Sequence, residues 1–418
     1  MIEKRRESIL WKPSKVKYIA NYINGYPFKP KEWGDHGLPI IRIQNLTDPN
    51  APYNYFDGEL PKKYLVKKGD ILLSWSASLG AYEWQDTDAW LNQHIFKVDL
   101  NSHLVTKKYF KWLAIWFMSE LNKEAHGSTM QHVTKDKFGS LKLRLPAKDT
   151  QQKIADYLDK ETVRIDGLIE AKERMLKLLE EKRRAIINRA VTRGLNLEAP
   201  TKPSGLDWLG EIPEHWEIKR LKFLTNYPLD YGANEAALDD NPEYPRFVRI
   251  TDINEDGTLR PETFKSLEPS IAKKYLLKSG DILFARSGAT VGKTFIYNES
   301  WGESCFAGYL IRFRTDTNKA FPKYIYYYTL SSMYWNQISI DTIQATIQNF
   351  SAEKYGNLLI CIPPLNEQKQ IVAYIEQFTH KHKILTQELE KSIALLKERR
   401  SALIAAAVTG EIDVEGSG

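Results

Sequence analysis

The segment with most resemblance to a reactive site is Ser287-Gly288-Ala289-Thr290-Val291-Gly292-Lys293-Thr294. It nearly matches the phosphate-gripping pattern G-x4-G-K-[ST]. In that pattern backbone N–H groups and a lysine cradle phosphates at the start of a helix. Here Ser287 occupies the first glycine position, and Phe295-Ile296-Tyr297 reads as strand rather than helix. The segment is therefore expected to be a turn between strands. A matching stretch, Ser76-Ala77-Ser78-Leu79-Gly80-Ala81, has no lysine at all. The chain carries no G-x-G-x-x-G for a nucleotide cofactor. It has no Asn-Pro-Pro-aromatic tetrapeptide for methylating a flipped base, and no G-x-S-x-G or H-E-x-x-H. Cys305 and Cys361 are too few for a disulfide framework or a zinc site, and His380 and His382 lie in a charged helical stretch. Neither catalysis nor metal binding is expected.

What the chain does hold is binding chemistry. Arg42, Lys135, Arg249, Arg286 and Lys293 sit near loops rich in Ser, Thr, Gln and aromatics. Arginine and glutamine make paired hydrogen bonds to guanine and adenine edges, while Lys, Ser and Thr often hold phosphates. The DNA-contact candidates in the first half are Arg42, Gln44, Ser74, Trp75, Ser76, Thr129, Gln131 and Lys135. Those in the second half are Arg249, Thr251, Arg286, Ser287, Lys293, Thr346 and Gln348.

The elements that must carry these residues are written twice. Ile40-Ile41-Arg42-Ile43-Gln44-Asn45-Leu46 answers to Phe247-Val248-Arg249-Ile250-Thr251-Asp252-Ile253. Tyr64 to Leu72 answers to Tyr275 to Leu283 and includes Gly69-Asp70/Gly280-Asp281. From Thr129/Thr346 to Val191/Val408 the copies run without a gap, pairing Gln151 with Gln368 and Ile187 with Ile404. Two copies of this length suit a pseudo-two-fold molecule better than a solenoid. The first part of each copy, 1–146 and 216–363, has short Tyr/Trp/Ile/Val/Phe runs broken by Gly, Pro, Asn and Asp. This is α+β chemistry. Ile40–Leu46 and Ile71–Ser74 read as strands, and Tyr109–Leu121 and Tyr324–Trp335 as helices. The second part, within 147–196 and 364–410, lacks proline over 150–192 and 366–407 and has apolar residues at 3–4 spacing: Leu158, Ile165, Leu168, Met175 and Ile375, Phe378, Leu385, Leu389. Each reads as an amphipathic helix about 60 Å long. Their apolar stripes are expected to face each other, and a two-fold makes the pair antiparallel. A turn-rich linker, 197–215, joins the copies, and 411–418 is a tail.

Bulk properties agree. Lys+Arg 59 against Asp+Glu 53 gives +6, a mild bias toward a polyanionic partner, and 12% aromatic residues supply cores. No run approaches the roughly 18 apolar residues of a membrane helix. The first residues lack the apolar core of a secretion signal, so a cytoplasmic setting is expected. The alternative reading is a stand-alone DNA-binding regulator, which would bind its site tightly without a partner; ATP binding or metal-dependent cleavage would favour a P-loop enzyme or nuclease, and absence of a salt-dependent DNA interaction a pure scaffold.

Together these features resemble the specificity subunit of type I restriction-modification systems. The most specific matches are Gly205-Leu206-Asp207-Trp208-Leu209-Gly210-Glu211-Ile212-Pro213-Glu214-His215-Trp216 and Ile362-Pro363-Pro364-Leu365-Asn366-Glu367-Gln368. Gly280-Asp281-Ile282-Leu283 with Arg286-Ser287-Gly288, and Ala407-Val408-Thr409-Gly410, also fit. The first copy departs at Pro146-Ala147-Lys148-Asp149-Thr150-Gln151, and Trp75 stands where the second has Arg286. The resemblance implies two α+β target recognition domains joined by two long antiparallel coiled-coil helices. It implies an asymmetric split site on double-stranded DNA, with a spacer set by the coiled coil. It further implies docking of two modification subunits with adenine-N6 methyltransferase chemistry, and of restriction subunits. S-adenosylmethionine, ATP and Mg are implied for those partners, with no cofactor on this chain. Readout is expected where the copies differ, at Trp75/Arg286 and Gln44/Thr251.

Overall fold

The computed structural model describes residues 11–48, 50–75, 79–125, 135–254, 257–343 and 349–414. The chain divides into two compact units, residues 1–173 with 390–418, and residues 174–389. Each unit contains one α+β domain and half of each long helix.

The strands of the first unit are β1 (Lys12–Lys15), β2 (Ala20–Asn24), β3 (Leu38–Ile41), β4 (Asn54–Phe56), β5 (Leu65–Val66), β6 (Ile71–Ser74), β7 (Gly80–Glu83), β8 (Ala89–Leu91), β9 (Ile95–Leu100) and β10 (Lys142–Leu145). One antiparallel sheet has the order β2-β9-β6-β7. A second has the order β4-β3-β8-β5, with β3 and β8 parallel, and β1 pairs with β10. Helix α1 (Lys107–Ala125) covers the first sheet, burying Tyr109, Phe110, Leu113 and Phe117 against Ile71, Leu73, Phe96 and Val98. Helix α2 (Lys148–Arg193) follows directly.

The second unit adds β11 (Thr201–Pro203), β12 (Glu211–Pro213), β13 (Glu217–Arg220), β14 (Asp230–Tyr231), β15 (Arg246–Val248), β16 (Ile282–Ala285), β17 (Thr294–Ile296), β18 (Ser304–Phe306), β19 (Leu310–Phe313) and β20 (Leu359–Ile362). The sheet β14-β19-β16-β17 repeats the order of β2-β9-β6-β7. The parallel pair β15/β18 repeats β3/β8, and β13/β20 repeats β1/β10. Helices α3 (Pro322–Tyr328) and α4 (Ser332–Ile343) lie in this unit, and the long helix α5 (Leu365–Thr409) begins in it.

Three sequence expectations need correction. Ile40–Leu46 is not one strand: β3 ends at Ile41, and Ile43–Thr47 is a helical turn. The cause is Asn45, whose side-chain oxygen accepts the Arg42 N–H at 3.0 Å; Asp252 does the same for Arg249 at 2.8 Å. A short polar side chain that captures a backbone donor favours a turn over a ladder. Tyr324–Trp335 is two helices, because the Thr329 and Ser331 hydroxyls donate back to the Tyr326 and Tyr328 carbonyls at the break. The linker is folded rather than merely turn-rich. Its β11/β12 hairpin brings Leu209 and Ile212 into the core of the second unit. Ile71–Ser74, the α1 region and both long helices form as expected.

Both units are closed by the far end of the other copy's helix. In the first, Ile404, Ala407 and Val408 of α5 share a core with Ile154 and Leu158 of α2, and Tyr109 donates its hydroxyl to the Val408 carbonyl at 3.2 Å. In the second, Ile187, Ala190 and Val191 of α2 share a core with Ile371, Val372 and Ile375 of α5, and Tyr324 donates to the Val191 carbonyl at 3.1 Å. The helix halves of the first unit run antiparallel, since Asp166 pairs with Arg400 and Glu173 with Lys397.

A buried glutamine ties each domain to its following helix. Gln151 and Gln368 are both 0% exposed. Gln151 accepts from Thr106 N (2.8 Å) and donates to the Leu104 and Pro146 carbonyls. Gln368 accepts from Phe321 N (2.7 Å) and donates to the Pro363 carbonyl (2.9 Å). Leucine at 368 would leave that N–H and carbonyl buried and unpaired. Gln368→Leu is expected to destabilise the second unit by about 2–3 kcal/mol, read as a lowered thermal midpoint. An unchanged midpoint would show that the lock carries no net stability.

Candidate nucleic-acid interface

Three strand ends meet at the same place in each unit. The first is the end of β2 or β14, the second is the residue after β6 or β16, and the third is the turn before β9 or β19. The registers fix the equivalences. Ser74 faces Ile95 and Ala285 faces Leu310. Asn24 faces Phe96 and Tyr231 faces Ile311. Trp75 is therefore equivalent to Arg286, Asn24 to Tyr231, and His94 to Tyr309. The backbone agrees: Trp75 N donates to the His94 carbonyl (3.4 Å), and Arg286 N to the Tyr309 carbonyl (3.1 Å). Gly25 and Gly232, next along β2 and β14, press so closely on the Asn92 and Phe306 carbonyls that a Cβ at either would clash. That approach sets Asn24 and Tyr231 beside the turns carrying His94 and Tyr309.

The chemistry at these equivalent places differs. In the first unit the Trp75 indole N–H donates to the Asn24 side-chain oxygen (3.2 Å), and its ring stacks on Phe96 at 5.8 Å. The exposed His94 ring lies 5.6 Å from Trp75, with Gln93 adjoining it. Indole, imidazole and amide groups thus form one patch. In the second unit the Arg286 guanidinium lies 4.8 Å over the Tyr231 ring. Tyr231 and Tyr309 are 41% and 64% exposed, a degree of aromatic exposure suited to a partner surface.

The remaining candidates fall into distinct groups. Ser287 follows Arg286 and bridges to Asn349. Lys293 is exposed at the far end of the β16/β17 turn and makes no ion pair among the described residues. That turn connects two strands, as expected, and no helix follows it. Gln44 and Thr251 occupy equivalent exposed positions on the helical turns after β3 and β15. Arg42 is half-buried, with its guanidinium 4.7 Å over Trp33 and donating to Asn54 (2.9 Å). Arg249 donates twice to Asp252 and once to the Thr263 carbonyl. Asp252 is 1% exposed, and this partner raises the Arg249 pKa. Both arginines brace their loops. Ser74 is fully buried under the strand end, and Lys135 opens the short helix Lys135–Ser140. Ser76, Thr129, Gln131, Thr346 and Gln348 lie outside the described residues. Asn24, His94, Tyr231 and Tyr309 went unnoticed in the sequence. Aligning Ile95 with Leu310 would have exposed the His94/Tyr309 difference.

Among the described residues no cluster of His, Cys, Asp and Glu could hold a metal ion. Burial pushes the Cys305 thiol up to about 12 and the Cys361 thiol up to about 11, so both are inert hydrophobes. Among the same residues no helix is long and apolar enough to cross a membrane.

Residues 9–177 and 213–394 match the type I restriction modification DNA specificity domain. The chain belongs to this family. It is a DNA-specificity subunit of a type I restriction-modification complex, supplying sequence recognition rather than catalysis. The specificity chain is 24% identical over 416 residues to the type I restriction enzyme EcoBI specificity subunit of Escherichia coli, covering 97% of this chain and 87% of that one. It is 23% identical to the MjaVIII specificity subunit of Methanocaldococcus jannaschii, covering 97% and 93%. A chain in a structure concerned with assembly and conformational transition of the type I R-M system shares the fold. Its TM-score is 0.74 at 15% identity, covering 96% of this chain and 98% of that one. The HsdS subunit of Thermoanaerobacter tengcongensis does so with a TM-score of 0.53 at 16% identity, covering 96% and 97%. The specificity domain thus occurs twice in this subunit, once per recognition domain.

Proposed function

We propose that each unit of this specificity subunit reads one half of an asymmetric, two-part site on double-stranded DNA. The paired helices α2 and α5, acting as an antiparallel coiled coil, set the spacer. The supporting observation is the equivalent strand-end position in each unit, occupied by Trp75 in one and Arg286 in the other. A common frame with different side chains suits two readers of different sequences. Gln44, Trp75, Thr251, Arg286 and Ser287 are the base-reading residues of this scheme. Lys293 serves a phosphate, while Arg42 and Arg249 hold the reading loops in shape. Ser76, Thr129, Gln131, Lys135, Thr346 and Gln348 complete the DNA-contact set. Two adenine-N6 methyltransferase subunits dock along the repeated helical halves, and restriction subunits add to that complex. S-adenosylmethionine, ATP and Mg serve those subunits. The recognition domains are 1–146 and 216–363, followed by helical segments 147–196 and 364–410.

Single-base methylation mapping in cells carrying the chain and its modification partner tests the scheme. Trp75→Ala is expected to relax or change one half-site, leaving the other half and the spacer untouched. A change in both halves, or in neither, would sink the assignment of one half-site per unit.

A further inference from the structure

Five of the seven arginines in 216–363 (Arg246, Arg249, Arg260, Arg312 and Arg314) donate hydrogen bonds to carboxylates, an amide oxygen or carbonyls. Arg220 lies exposed on β13, in the separate β13/β20 pair. Arg286 differs from all of these. It is held firmly, yet its side chain has no hydrogen bond or ion pair among the described residues. Its Nε is buried without a partner. Its guanidinium lies on the Tyr231 ring. Its backbone is pinned on both sides, donating to the Tyr309 carbonyl (3.1 Å) and accepting from Phe350 N (2.8 Å). The ring beneath it is anchored too, since the Tyr231 hydroxyl accepts from Ala352 N at 3.0 Å.

With Nε buried and one face on an aromatic ring, the two terminal nitrogens are the groups left for a ligand. They form a planar fork of set orientation rather than a mobile point charge. The base edge that accepts such a fork in duplex DNA is guanine, through O6 and N7 in the major groove. A phosphate also accepts from arginine, but lysine would serve it as well, and it carries no sequence information. We propose that Arg286 reads a guanine in the half-site of the second unit, and that Tyr231 is the positioning residue that aims it. This rests on the reading of each unit as the reader of one half-site. Trp75 has no such fork, and its only side-chain N–H is already engaged by Asn24. The first half-site therefore carries no matching requirement for guanine.

The test uses the full chain assembled with its modification subunits. The half-site belonging to the second unit is first assigned by exchanging residues 216–363 for the same segment of a relative with different specificity. Duplexes then carry 7-deazaguanine, which lacks the N7 acceptor, at each guanine of that half-site in turn. The wild-type complex is expected to lose roughly 10- to 100-fold in affinity at one position. Arg286→Ala should lose a similar factor on natural DNA and become indifferent to 7-deazaguanine there. Arg286→Lys should keep DNA binding but lose the preference for guanine. Tyr231→Ala should weaken that preference, and Tyr231→Phe, which keeps the ring, should largely restore it. The thermal midpoint of each variant and its assembly with the modification subunits serve as the folding control.

Absence of any guanine sensitive to the substitution, or full sensitivity persisting in Arg286→Ala, would overturn the guanine assignment. Wild-type discrimination in Tyr231→Ala would overturn the positioning role. If exchanging 216–363 alters neither half-site, the half-site reading itself fails, a result distinct from the others.

Discussion

Four residues inserted into each long helix, after Glu173 and after Leu389, are expected to lengthen the spacer of the recognised DNA site without altering either half-site. These points lie at the boundary between the two compact units. Each unit keeps its own clasp on both helices. The first keeps the Asp166–Arg400 and Glu173–Lys397 pairs, and the second keeps Ile187 and Val191 packed with Ile371 and Ile375. Four residues make slightly more than one turn, so the apolar seam continues with its 3–4 spacing. The added rise is about 6 Å, against roughly 3.4 Å per base pair, which corresponds to about one to two base pairs. Insertion into α2 alone should behave differently. The partner helix would then be a turn too short, and the pairing on one side of the insertion would have to slip. That variant is expected to lose stability and methylation together. Methylome mapping reads both outcomes. An unchanged spacer in the double insertion, or altered half-sites, would remove the helices from the role of ruler.

The legibility of these helices in the sequence has a physical reason. Over 150–192 and 366–407 there is no proline, and the apolar period persists for many turns, so local preference and tertiary packing agree; the helices extend only one or two residues further at each end. Strand β6 was equally plain, as four apolar or small residues after a Gly-Asp turn. The misreadings occur where one polar side chain outweighs the local pattern, as with Asn45, Asp252, Thr329 and Ser331. The functional positions divide the same way. Trp75 and Arg286 were visible because they follow a repeated strand and differ. Asn24/Tyr231 and His94/Tyr309 reach the same place through sheet pairing between distant segments, which no local pattern reports. Nor could sequence separate a bracing arginine from an unengaged one. Arg42 and Arg249 have their partners twelve and fourteen residues away or in adjoining turns, whereas Arg286 has, among the described residues, only an aromatic ring beneath it.

Asp281→Ala is expected to be among the most destabilising single substitutions in the chain, and Asp70→Ala at the equivalent turn markedly milder. Both aspartates accept a backbone N–H three residues back, from Lys278 at 2.8 Å and Lys67 at 2.9 Å, and so close the same Gly-Asp turn. Their other partners differ. Asp281, with a side chain 1% exposed, takes both arms of Arg314 at 2.6 and 2.7 Å, and the Arg314 side chain is 22% exposed. Asp70, 28% exposed, meets a single ammonium, Lys97, at 2.9 Å. The Lys97 ammonium also donates to the Leu65 carbonyl and would retain that bond. Removing the buried carboxylate leaves the largely buried guanidinium without its ion-pair partner and should cost about 3–4 kcal/mol. At Asp70 the carboxylate removed is itself 28% exposed and its partner keeps the Leu65 carbonyl, which limits the loss to about 1–2 kcal/mol. Calorimetry of the full chain should show a large fall in the melting of the second unit for Asp281→Ala. Adding Arg314→Met should recover part of that loss, because the stranded charge is then gone. Equal losses at the two turns, or no recovery in the double variant, would mean that the shared turn hydrogen bond, and not the buried pair, carries the stability.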